Sequence, residues 1–113
     1  MPLLKLLRGL AAVQLIVGIG FWTGHWFGLR MFHMTVGVLF VLVLWSIAVI
    51  ALRAKRATSL AVGTIAWGLL VAALGAMQQQ LLIGDWHWTI RVLHLGTAVA
   101  ALPMAERLGR SAT

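Results

Sequence analysis

The stretch MFHMTVGVLFVLVLWSIAVIAL, residues 31–52, contains no Lys, Arg, Asp or Glu. A helix needs about 20 predominantly apolar residues to cross the hydrocarbon core of a bilayer, and this stretch is long enough. Two more stretches without charged side chains, 9–29 and 57–84, lie on either side of it. A fourth, 92–105, reaches about 20 residues when 86–91 is added, with Arg91 as its one charge. The sequence therefore predicts four membrane spans, at about 9–28, 30–52, 58–82 and 88–106.

Composition indicates the same class of protein. Of the 113 residues, 62% are hydrophobic and 10% are charged, whereas a soluble domain is about 45–50% apolar. The length allows one domain, 1–113, and we expect an all-α, up-down four-helix transmembrane bundle. The chain has no cysteine, which excludes disulfides, thiolate metal sites and cysteine nucleophiles.

The distribution of basic residues predicts the orientation of the bundle. Most lie at the two termini and in the central loop: Lys5, Arg8, Arg53, Lys55, Arg56, Arg107 and Arg110. Arg30 and Arg91 fall on the other side. By the positive-inside rule, both termini face the cytoplasm, as expected in a bacterial inner or plasma membrane. A net charge of +7 is thus explained by membrane topology, and the predicted partner is the lipid bilayer rather than nucleic acid.

A short motif occurs twice. Arg30-Met31-Phe32-His33 and Arg91-Val92-Leu93-His94 each stand near the start of an apolar helix, about sixty residues apart, which indicates a helix pair used twice. In an up-down bundle the second and fourth helices run in the same direction, so His33 and His94 are predicted at the same depth. With neighbouring helices about 8–10 Å apart, diagonal ones are expected about 12–14 Å apart. Two imidazoles across that gap suit the axial ligands of one haem. A zinc site is disfavoured because no thiolate or nearby carboxylate completes its ligand set.

Residues around the motif permit two interpretations. Gly37 and Ala98, one turn beyond the histidines, leave room for a flat ring, although small residues also let membrane helices pack closely. Arg30 and Arg91, one turn before them, suit haem propionates, although arginines at helix ends also snorkel to the interface.

Other polar side chains are weaker candidates. His25 and His87 lie in the outer loops and are the less favoured metal ligands, since loop histidines are usually solvated. Gln14 and the run Gln78-Gln79-Gln80 are polar groups in or beside apolar helices, where glutamine contacts a cofactor or quinone, or joins neighbouring helices.

The order of a glutamine-rich helix end, a short outer loop and a histidine near the start of the next helix, repeated once, resembles one four-helix half of the haem A synthase family and the small four-helix b-type cytochromes. The resemblance covers nearly the whole chain and implies that His33 and His94 are axial ligands of haem b. It also implies that two copies form a homodimer in place of two fused halves. The family's catalytic half carries Glu-x-x-His, whereas Arg30 stands at that position here, and the family's outer-loop cysteines are absent.

These observations predict a membrane b-type cytochrome that holds one haem near the outer face and transfers electrons, with a quinone or another redox protein as partner. Electron transfer is favoured over catalysis because bis-histidine ligation fills both axial positions. Two alternatives remain. A non-catalytic subunit of a larger complex needs only apolar surface. A small proton-coupled transporter generally needs a carboxylate within the membrane, whereas Asp85 and Glu106 lie at helix ends.

Overall fold

A computed structural model shows four α-helices and one short 3-10 helix, with no strand among the described residues, 2–78, 80 and 84–110. The predicted all-α helical bundle is confirmed. The helices are α1 (Pro2–Trp22), the 3-10 turn (Phe27–Leu29), α2 (Arg30–Arg53), α3 (Thr58–Met77) and α4 (His87–Arg110).

Three segments of the described chain are long and apolar enough to cross a membrane: Pro2–Trp22, Phe27–Arg53 and Thr58–Met77. The fourth helix, α4, has 24 residues and is about 36 Å long at 1.5 Å per residue. It is more polar than the other three because it contains Arg91, His94 and Glu106 within its length.

The structural helix limits differ from the predicted spans mainly at α1 and α3. The helix α1 starts at Pro2, because proline is accepted at a first helical position and the charges of Lys5 and Arg8 do not interrupt helical hydrogen bonding. The helix α3 ends at Met77, and of the remaining predicted span, 78–82, only Gln78 and Gln80 are within the described residues.

Two helices end in the same hydrogen-bonded turn. After α1, the N–H of Gly24 donates to the carbonyl of Phe21 (3.1 Å) and that of His25 to the carbonyl of Gly20 (2.7 Å), the pattern of a Schellman motif. Gly24 has the left-handed φ of 85° that the motif requires. After α2, the N–H groups of Lys55 and Arg56 make the same two bonds, to Leu52 and Ala51. There Lys55 adopts φ 55°, where an L-residue is strained.

The hydrophobic core fills one end of the bundle. We call this the basic end, since it carries the N-terminal Lys5 and Arg8, the α2–α3 loop and the last turns of α4; the opposite end, with His33 and His94, is the histidine end. The core cluster consists of Leu4, Leu7, Ala11, Phe40, Val41, Leu44, Ile47, Ala48, Ala51, Ala61, Ala101, Ala105 and Leu108. Within this cluster, Ala11, Phe40 and Ala101 lie nearest the histidine end, and beyond them Val17, Val36, Val71 and Ile90 are also buried.

Within the bundle, α2 contacts α4 directly, which corrects the prediction that these two helices lie about 12–14 Å apart across a square bundle. The reason is side-chain size, because α2 and α4 bring Ala48, Ala51, Ala101 and Ala105 into the shared core, and small residues let helices approach closely. The molecule is correspondingly flattened, with extents of 45 × 24 × 17 Å.

Polar contacts link α2 to α3, α3 to α4, and α1 to α4. The indole N–H of Trp45 on α2 donates to the carbonyl of Ile65 on α3 (3.1 Å), and that of Trp67 on α3 to the carbonyl of Thr97 on α4 (2.7 Å). At the basic end, the Arg8 guanidinium donates to both carboxylate oxygens of Glu106, at 2.6 and 2.7 Å. This ion pair joins the first helix to the last.

Candidate ligand site at the histidine end

His33 lies on the first turn of α2 and turns its half-buried ring towards α1. A Cβ placed on Gly18 of α1 would lie 3.6 Å from His33 Cε1, so the imidazole rests on the bare backbone of that helix. The ring of Phe21 meets the same imidazole edge-on, with centroids 5.2 Å apart and planes at 71°. Phe21 is in turn stacked with Phe27 of the 3-10 turn at 6.3 Å. Glycine and phenylalanine from α1 together set the orientation of His33.

His94 repeats this arrangement in the second helix pair. It lies two turns into α4, is half-buried, and packs on Gly75 of α3. A Cβ at Gly75 would lie 2.9 Å from His94 Cε1 and 3.5 Å from Nε2, closer than real contacts allow. Each histidine therefore rests on a glycine of the helix that precedes its own. We call each of these histidine-on-glycine contacts a glycine cradle, and the cradle at Gly75 is the tighter of the two.

Both histidines lie towards the same end of the bundle, each within about two turns of the start of its helix. In both residues Nδ1 is buried and has no hydrogen-bond partner within the protein. A buried polar atom left without a partner costs about 1–3 kcal/mol, so two such atoms at one end indicate a group that the protein alone does not supply.

A third polar side chain lies beside His33. Gln14 on α1 reaches across to Gly37 of α2, where a Cβ would lie 3.0 Å from the amide Nε2. Its Oε1 is buried without a hydrogen-bond partner. The space beside Gly37 is thus occupied by a glutamine amide, which corrects the expectation that this glycine leaves room for a flat ring.

Some of the other predicted site residues lie within a turn of the histidines on the same helices, and others lie in or next to the loops. Arg30 and Arg91 are exposed on the same helices as the histidines, one turn nearer their starts, and Ala98 is half-buried one turn after His94. By contrast, His25 is exposed in the loop after α1, where its Nδ1 lies 3.0 Å from Thr23 Oγ1. His87 begins α4 and is half-buried, and Gln79 lies outside the described residues.

An open groove on the outer face of α2 lies away from this site. It is lined by Leu42, Trp45, Ser46, Val49, Ile50 and Arg53, towards the basic end, and includes neither histidine.

The donor set at the histidine end matches one kind of cofactor. No three or more of the His, Cys, Asp and Glu side chains in the described chain gather into a metal-ion cluster. Two imidazoles complete the coordination of an iron whose other four ligands belong to a macrocycle. The contacts with Gly18 and Gly75 fix the positions of the two rings, and His33 and His94 are the residues that would hold such a group.

The sequence analysis singled out the two histidines but not Gly18, Phe21 or Gly75, which contact them. The two glycines precede their histidines by different numbers of residues, because the two connecting loops differ in length, so no fixed spacing marks them. A signal does exist in retrospect, since each glycine lies in the last two turns of the helix before a histidine helix.

Comparison of the chain with protein-family models, with curated proteins and with solved structures found no match. The interpretation of the site therefore rests on its own residues.

Proposed function

We propose that this protein is a membrane b-type cytochrome that holds one haem between His33 and His94 and transfers electrons. The single observation that carries the proposal is the repeated histidine-on-glycine contact towards one end of the bundle. One such histidine would be an ordinary packed side chain. Two, on the second and fourth helices towards the same end, would supply the two imidazoles that a haem iron takes.

Each residue has a defined part in this proposal. His33 and His94 would hold the haem iron as neutral imidazoles through Nε2, with the proton on Nδ1. Gly18 and Gly75 let the rings sit close to the helix backbones. Arg30 and Arg91, exposed one turn before each histidine, are placed to pair with the propionate carboxylates, for which the guanidinium fork is suited.

Haem supplies one-electron chemistry, and with both axial positions filled by imidazoles it favours electron transfer over oxygen activation. In the proposed topology all four helices span the membrane, with the basic end cytoplasmic. The histidine end then faces outward. The proposed role is electron transfer between a membrane quinol and an acceptor on the outer side.

The first test is absorption spectroscopy of the purified full chain in detergent. Wild type supplemented with haem is expected to show a Soret band and, when reduced, split α and β bands. His33→Ala is expected to lose the split α and β bands because the iron loses one of its two protein ligands, whereas His25→Ala, at an exposed loop histidine, keeps them. Wild-type protein that stays colourless after haem supplementation would overturn the proposal.

A further inference from the structure

At the histidine end, α1 and α2 contact each other through two neighbouring residue pairs. We call this contact the α1–α2 seam. Gly18 faces His33, and Gln14 faces Gly37. Gln14 comes one turn before Gly18, and Gly37 one turn after His33, as expected for antiparallel helices in register. The glutamine amide and the imidazole are therefore adjacent along the seam, one helical turn apart.

Each of these neighbouring side chains has an unsatisfied atom within the seam. Gln14 Oε1 and His33 Nδ1 are both buried and without a hydrogen-bond partner. One helical turn is about 5.4 Å, and a hydrogen bond to a hydroxyl oxygen spans about 2.7–3.0 Å. A single oxygen atom placed between two side chains about one turn apart can bond to both.

We propose that Gln14 and His33 form a seat for a single hydroxyl group in the α1–α2 seam. The hydroxyl O–H donates to Gln14 Oε1, and its oxygen accepts from His33 Nδ1–H when that nitrogen carries the proton. The hydroxyl belongs either to a buried water or to a quinol that enters from the bilayer. Only the quinol source rests on the proposed function; the seat itself follows from the two orphaned atoms.

The second helix pair differs at the corresponding position. On α3, the residue one turn before Gly75 is the buried Val71, which has no polar atom to offer. A water or hydroxyl needs at least two polar partners in a buried site, and Gln14 supplies an amide at this position of the α1–α2 seam. Gln14 is therefore a positioning residue for His33, and the two axial histidines are inequivalent.

The test is nuclear magnetic resonance of the full chain in detergent with ¹⁵N-labelled histidine. Measurements are made in the diamagnetic ferrous state if the protein carries haem, and as purified if it does not. In wild type we expect a His33 Nδ1–H resonance that shows magnetisation transfer from a hydroxyl or water proton. Gln14→Leu should shift this resonance and remove the transfer. Gln14→Met is a second variant in case leucine disturbs folding, and Gln80→Leu, at an exposed residue outside the seam, is the matched control that should change neither.

Addition of duroquinol distinguishes the two sources of the hydroxyl group. A shift of the His33 resonance in wild type, absent in Gln14→Leu, assigns the seat to a quinol. No shift, with transfer from water retained, assigns it to a buried water. A His33 Nδ1 resonance that is the same in wild type and in both Gln14 variants would overturn the inference. The absorption spectrum tests the haem separately, so failure of the cytochrome proposal is distinguishable from failure of the seat.

Discussion

At the residue scale, the two histidine cradles look alike but differ in tightness. The space above Gly18 accepts a methyl group at 3.6 Å, an ordinary contact, whereas the space above Gly75 does not, at 2.9 Å. The two histidines stand out in the sequence, because imidazoles are rare in apolar helices. The supporting glycines are harder to find, because they are two of twelve in the chain and glycine is common in membrane helices for packing alone.

This difference gives a paired prediction. Gly75→Ala should force the His94 ring to move and should cost about 1–3 kcal/mol, as overpacking generally does. Gly18→Ala should be close to neutral because its new methyl group meets His33 at normal distance. Thermal unfolding of both variants in detergent measures the effect, and equal melting temperatures would contradict the cradle geometry.

At the scale of the helices, the positions of charged residues agree with some helix ends and not with others. The predicted span 30–52 nearly matches α2, Arg30–Arg53, because an arginine marks each end. The helix α1 starts seven residues before the predicted span 9–28, since a charged residue ends a membrane span without ending a helix. Contacts between helices were not predictable, because α2 is apolar on all sides and its sequence does not show which face meets α4.

The turn after α2 offers a stability test at this scale. Lys55 holds the left-handed position that glycine holds after α1, and an L-residue there costs about 1 kcal/mol. Lys55→Gly should therefore raise the melting temperature. Lys55→Ala, which also removes the charge but keeps a Cβ, should not, and identical melting temperatures for the two variants would show that the charge rather than the backbone decides the result.

At the scale of the whole molecule, the bundle is closed by the Arg8–Glu106 ion pair between its first and last helices. Both side chains remain partly exposed, so the pair is screened by salt. Glu106→Gln should lower the melting temperature slightly at low ionic strength and have less effect at high salt. The exchanged double variant, Arg8→Glu with Glu106→Arg, should recover part of the loss. Absence of any recovery would mean that the single variant acts through something other than this pair.

The histidine-on-glycine contact also bears on biogenesis. Each contact is made within one hairpin, between α1 and α2 or between α3 and α4, so each hairpin can orient its own imidazole once that hairpin has formed. The two hairpins pack together mainly through α2 and α3. A prosthetic group bound between them would then be captured as they dock, rather than threaded into a completed protein.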